Sequence, residues 1–394
     1  MTNIKNFDYI IIGAGITGMS TAETLSTLSH GASILMVNNE PRLPYKRTKI
    51  NKTIVSGFHT DDFALKSRAW FAENNINLLN ENVEAINPNN KTVFTEHQLF
   101  AYEKLLLATG SRPRSTGHEA WDRMVLTART ATEVEAIIES MQRANHYLII
   151  GGGAEGIETA EQLVRAGKRV TLTDRNPNLM HRYLTEVLSQ QVKDTLKEQG
   201  ISVINPAEIS AIRHTQGYTI VLNGQTIAAD AIISCIGHQP NIELAVEAGI
   251  KTNRGIVVDD TLQTSMHDIF AAGDVAEHPD GYITGLWHAA EYQGKVAAMN
   301  MAGISTKYEN RSYRFKTEVF GNFFFSGGSL NNPGATITKM ETNNKARNIS
   351  TINNQIIGIV SLNEAPLAPL FQQALLENWT TNQLDQAINK LALD

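Results

Sequence analysis

Two glycine turns constrain this chain more than anything else in it: Gly13-Ala14-Gly15-Ile16-Thr17-Gly18 and Gly151-Gly152-Gly153-Ala154-Glu155-Gly156. Each follows a short apolar run and opens a helical pattern. Residues 7–12 lead into the first turn, Met19, Ala22 and Leu25 mark one helix face, and a second apolar run covers 33–37. The same grammar returns with strand 146–150, helix 157–165 and strand 169–173. A diphosphate needs close backbone approach and backbone donors, which a glycine turn at a helix start supplies. The first glycine permits the tight turn, the second clears the phosphate path, and the third lets helix and strand pack. One such turn can exist without a ligand; two in the same strand–turn–helix–strand context predict two dinucleotide-binding units.

An acid at the end of each unit's second strand is expected to hold a ribose hydroxyl. In the second unit Asp174 has the right spacing from Gly151. A carboxylate there repels a 2′-phosphate, so NADH is expected over NADPH, with the neighbouring Arg175 pulling the other way. In the first unit the strand ends in Asn38-Asn39-Glu40; Glu40 is the available acid and Asn39 the alternative partner.

The 394 residues exceed one compact core, so two or three domains are expected. A net charge of −6 argues against a nucleic-acid-binding or membrane-binding surface. No segment approaches the roughly 20 apolar residues of a membrane span, and residues 1–7 are polar, so no secretory signal is expected. With one cysteine, Cys235, no intramolecular disulfide can form. A cytoplasmic location is the expectation.

Between the units the pattern predicts a helix at 61–73, weak strands within 83–94 and a strand at 104–108. After the second unit come a helix at 184–198, strands at 201–204 and 231–235, a hairpin at Asn223-Gly224, and a run at 268–272 leading to Gly273-Asp274. A closing helix spans 287–301. From about residue 309 Asn and Thr become frequent, with strands near 323–326 and 356–360 and a helix in two pieces over 371–392.

Both glycine turns, residues 43–47 (Leu-Pro-Tyr-Lys-Arg) through Lys52, Ala108-Thr109-Gly110-Ser111-Arg112-Pro113, Arg129-Thr130, Gly237-His238-Gln239-Pro240-Asn241 and Ala272-Gly273-Asp274 occur in one ordered series. Over about residues 8–303 the chain thereby resembles the FAD-dependent pyridine-nucleotide oxidoreductases. Within them it is similar to the rubredoxin-, ferredoxin- and nitrite-reductase-type NADH reductases that lack a redox-active disulfide. The resemblance implies an α/β fold of two Rossmann-like dinucleotide-binding domains plus a small C-terminal α+β domain. The FAD-binding domain would be discontinuous (1–115 and 240–308), the NAD-binding domain inserted (116–239), and the interface domain C-terminal (309–394).

By the same resemblance, Gly13, Gly15 and Gly18 cradle the FAD diphosphate, Asp274 holds the ribitol, and Arg47 and Lys52 lie along the flavin. Thr109 and Gly110 line the FAD site, Val83 meets the adenine end by its backbone, Arg129 lies near the FAD, and Trp287 stands beside the isoalloxazine. Gly151, Gly153, Glu155, Gly156 and Asp174 serve the NADH site. Lys52, paired with Glu158, approaches flavin N5 and stabilises the charge that hydride delivery creates there. Plainer roles remain open: Asp274 as a turn cap, Val83 as strand core, Trp287 as packing, Glu158 as an exposed helix residue, Lys46 and Lys49 as a solvated face.

The departures matter. Residues 46–56 contain no cysteine, so flavin electrons have no thiol to enter, and Cys235 reads as a small core residue. Ala154 stands where many members of the resembling family carry an aromatic over the nicotinamide slot, so the resemblance implies an open slot here. Glu155 either points into solvent or weakens nucleotide binding; His288 either packs or tunes the flavin. The expected activity is hydride transfer from NADH to FAD, then electron transfer to an external acceptor such as a rubredoxin, a ferredoxin or a partner reductase. A flavin oxidase acting on a small molecule, quinone or oxygen, and a regulatory redox-responsive flavoprotein, are the alternatives. No metal site is expected, and the oligomeric state stays open.

Overall fold

In the computed structural model, residues 4–309, 314–330, 332–342 and 344–391 are described. The polar start at 1–3 and residue 392 of the expected C-terminal helix lie outside them. The chain divides into two compact units. One holds the described residues up to Lys49, then His59–Arg112, then the segment from His238 to residue 309. The other holds Ile50–Phe58, Pro113–Gly237 and the described residues from 314 onward.

The first unit is built on β1 (Lys5–Ile12), α1 (Ile16–Leu28) and β2 (Ile34–Val37). Strand order is Ile76–Leu79, β2, β1, Leu99–Leu107, Thr92–Thr95, Val83–Asn87, with Ile269–Ala271 added beside Leu99–Leu107. Pairing from Ile76 through Leu107 is parallel, and the last two strands are antiparallel. Parallel strands covered on both faces need unbroken apolar runs; Ile10, Ile11 and Ile34 through Val37 are accordingly buried. Met19, Ala22 and Leu25 on α1 are at most 3% exposed. The helix expected at 61–73 is two short ones, Thr60–Phe63 and Arg68–Glu73. Ala64 is extended and bridges Tyr45, and Ser67 caps the second piece by accepting from the Trp70 amide.

The second unit repeats the plan with β3 (His146–Ile150), α2 (Ala154–Arg165) and β4 (Arg169–Thr173). Its parallel sheet runs Ser202–Ile204, β4, β3, Ala231–Ser234. An antiparallel meander, Ile209–His214, Tyr218–Leu222 and Gln225–Ala229, packs Ile212 and Ile220 against Leu148 and Ile232 of that sheet. In the same unit the C-terminal residues form a five-stranded antiparallel sheet that includes β5 (Arg314–Val319). Helices Ala368–Leu376 and Thr381–Leu391 pack through Phe371, Ala374 and Leu384 onto Phe325, Ile356 and Ile359. The chain is thus α/β, with one mostly parallel and one parallel nucleotide-type sheet and a small C-terminal sheet with helices.

Candidate functional site: two phosphate-type cradles and an ion pair

At the first turn Gly13 has φ +106°, and its amide donates to the Val37 carbonyl at 2.9 Å. A Cβ on Gly13 would stand 2.2 Å from the Ala108 oxygen, and one on Gly18 would stand 2.0 Å from the Gly13 oxygen. These two glycines exist for close packing of strand and helix. Gly15 differs: it is the N-cap of α1, no side chain caps the helix, and nothing lies within 4 Å of where its Cβ would be. An uncapped helix start with a clear approach presents backbone donors and a positive dipole end, which fits a dinucleotide diphosphate.

The Gly273-Asp274 turn is fixed beside this helix. A Cβ at Gly273 would lie 2.3 Å from Thr17 Oγ1. The Gly273 amide donates to the fully buried Gln293 Oε1 at 2.7 Å, and the Ser111 hydroxyl donates to Asp274 Oδ2 at 3.0 Å. Asn241 Nδ2 donates to the Thr109 carbonyl at 2.8 Å while the Thr109 hydroxyl donates to the Asn241 carbonyl at 2.9 Å, joining two of the sequence motifs; Gly110 has φ +65°. Glu40 is buried, ion-paired with Arg47 and accepting from Tyr45 Oη at 2.7 Å. Val83 lies half-buried on the edge strand of the sheet, paired with Thr95. Trp287, half-buried, starts the helix Trp287–Met301, and His288 is exposed.

At the second turn the geometry repeats. Gly151 has φ +115°, its amide donates to the Thr173 carbonyl at 2.7 Å, and its Cβ would stand 2.2 Å from the Cys235 oxygen. Gly156 packs on the Gly151 oxygen, and Gly153 is the open N-cap of α2. Asp174 is built into the turn: its carboxylate accepts from the Gly152 and Asn176 amides, both at 2.6 Å. Glu155 occupies the first turn of α2, and Arg175 is exposed. Arg129 is half-buried, its amide held by Glu133 at 2.6 Å in the capping box of the helix Ala131–Ser140.

Also within the second unit, Lys52 Nζ lies 3.7 Å from Glu158 Oε1. The Thr317 hydroxyl on β5 donates to that same oxygen at 2.7 Å. Burial pushes the Glu158 carboxyl above the usual range, opposed by Lys52 and Thr317 and reinforced by Glu155 and Glu161. Burial likewise pushes the Cys235 thiol well up, so it stays protonated. Lys46 and Lys49 are exposed.

Sequence reasoning missed Thr317 and Gln293, and quoted Tyr45 and Gly152 within motifs without giving them a role of their own. Ser111 sat inside a quoted motif, whereas Thr317 carried no local signal. Gly152 is required because its Cβ would stand 2.4 Å from Leu179 Cδ2.

A sequence profile described as pyridine nucleotide-disulphide oxidoreductase matches residues 7–294, well over half of the chain. The chain belongs to that family. It is 32% identical over 330 residues to a nitrite reductase [NAD(P)H] of Bacillus subtilis, an alignment covering 82% of this chain and 41% of that one. It is 29% identical over 331 residues to an NADH-rubredoxin oxidoreductase of Clostridium acetobutylicum, covering 84% and 83%. The crystal structure of a ferredoxin reductase from Rhodopseudomonas palustris superimposes with a TM-score of 0.89 at 24% identity, covering 96% of this chain and 99% of that one. This family member spans less than half the length of the Bacillus nitrite reductase and of a nitrate reductase electron-transfer subunit from the same organism. Among the described residues no helix is long and apolar enough to cross a membrane.

Proposed function

We propose that this family member is an NADH-oxidising reductase that hands electrons to a separate small redox protein or partner reductase, and that it works in the cytoplasm. The carrying observation is the Lys52–Glu158 pair, together with the lack of any cysteine in residues 46–56 around Lys52. Residues 1–115 and 240–308 are assigned to FAD, 116–239 to NADH and 309–394 to a C-terminal interface domain. When bound, FAD supplies hydride acceptance from NADH and release of electrons to the next carrier.

The chain's own residues do the rest. The α1 amides opened by Gly13, Gly15 and Gly18 bind one diphosphate, and the α2 amides opened by Gly151, Gly153 and Gly156 bind the other. Asp274, oriented by Ser111, accepts from a ribitol hydroxyl. Glu40 and Arg47, with Thr109, Gly110, Val83, Arg129 and Trp287, complete the FAD assignment. Asp174 accepts from the nicotinamide nucleotide's ribose and disfavours a 2′-phosphate, while Glu155 sets the charge near its diphosphate. Lys52, paired with Glu158, stabilises the negative charge that reduction creates. Cys235 is buried and protonated, so it offers electrons no exit.

Anaerobic titration of the purified protein with NADH, followed by oxidised rubredoxin, ferredoxin or partner reductase, tests this reading. The expected result is a yellow protein bleached by NADH and recoloured by a carrier. A colourless protein that refuses added FAD overturns it, as does fast carrier-independent turnover with one metabolite.

A further inference from the structure

The ion pair on which the proposed reduction depends has a third member. Glu158 is on α2, its side chain only 17% exposed, while the Lys52 side chain is 40% exposed. A lysine that open to water is held weakly by one carboxylate at 3.7 Å. The oxygen that faces Lys52 also receives the 2.7 Å hydrogen bond from Thr317. Thr317 is itself buried, on the inward face of β5. That face is pinned to the nucleotide-type part of the same unit. Phe315 stacks on Tyr183 with ring centroids 3.9 Å apart, and Asn348 of the C-terminal sheet donates to Thr185 at 3.2 Å.

We propose that Thr317 is a positioning residue for the Lys52–Glu158 pair, fixing the Glu158 carboxylate in its ionised, lysine-facing orientation from the C-terminal sheet. The inference rests on the assignment of Lys52 to flavin reduction. A hydroxyl that donates to a buried carboxylate favours the charged form. Burial, Glu155 and Glu161 all push Glu158 toward protonation, and among the described residues Lys52 and Thr317 oppose them. The charged neighbours on β5, Lys316 and Glu318, alternate onto its exposed face. Without Thr317 the acid takes up its proton at higher pH, and Lys52 loses its counter-ion there. The C-terminal sheet thereby contributes one side chain to the reduction machinery, from a part of the chain that resembles a mere interface domain.

The test uses the FAD-loaded full chain with Thr317→Val, which keeps the β-branched shape and deletes the hydroxyl, and with Thr317→Ser, which restores it. Three quantities are read: FAD content, the pH dependence of single-turnover reduction by NADH, and the Glu158 carboxyl titration by 13C NMR without NADH. Expected for Thr317→Val is unchanged FAD content, an acid limb moved to higher pH, and a rate at the acid end lower by about tenfold, the effect of one hydrogen bond to a charged group. The carboxyl titration moves upward with it, and Thr317→Ser returns both. A Thr317→Val profile and titration identical to wild type overturn the proposal. Should the valine protein not accumulate, Thr317→Ala deletes the same hydroxyl with less bulk. If the carboxyl titration moves while Lys52→Ala reduces as fast as wild type, the positioning stands and the assignment of Lys52 falls.

Discussion

At Gly13 and at Gly151 an added Cβ would sit 2.2 Å from a carbonyl oxygen, that of Ala108 in one turn and of Cys235 in the other. At Gly18 and Gly156 it would sit 2.0 Å from the oxygen of the turn's own first glycine. The backbones of the two cradles are therefore near copies; their surroundings are not. One residue before the last glycine the first turn has Thr17 and the second has Glu155. Two residues after it, the first helix has Ser20, donating to the Glu291 carbonyl at 2.8 Å, and the second has Glu158, tied to Lys52 and Thr317. The first helix is clamped: Gly294 approaches so closely that its Cβ would be 2.5 Å from the Thr17 oxygen, and Thr21 donates to the Gly294 carbonyl. A neutral, clamped cradle suits a resident cofactor, and an acid-bearing one suits a ligand that comes and goes. On the proposed assignment, phosphate geometry is set by glycines, and tenancy by what flanks them.

The largest effect separates packing glycines from approach glycines within each turn. Gly13→Ala and Gly151→Ala place a methyl against backbone at positive φ, so each should destabilise its unit by about 3 kcal/mol, measured by urea unfolding. Gly15→Ala and Gly153→Ala meet open space in the protein, so unfolding should hardly change. Gly15→Ala should instead lower FAD content, and Gly153→Ala should raise the Kd for NADH while FAD stays bound. If Gly15→Ala unfolds the protein as readily as Gly13→Ala, the distinction is wrong.

Lys52→Ala removes the cation paired with Glu158 on the second helix. Reduction by NADH should slow by about a hundredfold, the scale of one electrostatic stabiliser, with FAD content unchanged. Stopped-flow absorbance checks this, and an unaltered rate removes Lys52 from the chemistry.

The turns themselves were legible because only glycine satisfies such contacts, and strand–turn–helix periodicity is local. Asp174 was legible for the same reason, since a fixed spacing carries it to the end of β4. Glu40 was harder. Gly13 bonds Val37 and Gly151 bonds Thr173, so the residue matching Asp174 is Asn38. Buried Asn38 donates to the Glu40 and Arg42 carbonyls, which turns the chain and brings Glu40 to Arg47 and Tyr45. Lys52 and Glu158, more than a hundred residues apart, came from resemblance and not from spacing. Thr317 was invisible, because nothing in its strand announces which helix it will face.

Asp174→Ala probes the acid present at the second turn where the first has an amide. The preference for NADH over NADPH, as a ratio of kcat/KM values, should fall about tenfold once the carboxylate no longer opposes a 2′-phosphate. Because Asp174 also holds the Gly152 and Asn176 amides, KM should rise for both nucleotides. Equal use of the two by the wild type would refute the ribose assignment outright.

The smallest effect is the most discriminating, because it should carry opposite signs for stability and for binding. Glu155 stands in the first turn of α2, where a negative charge complements the helix dipole. Glu155→Gln should therefore cost about 0.5 kcal/mol of stability. The same carboxylate opposes a diphosphate arriving at those amides, so the substitution should tighten NADH binding about threefold at low salt, with the gain fading as screening increases. Calorimetric titration at two ionic strengths, set beside a thermal melt, reads both signs. A Kd that does not move at low salt would mean that Glu155 turns away from the nucleotide, and the electrostatic difference between the two cradles would then rest on Asp174 and Glu158.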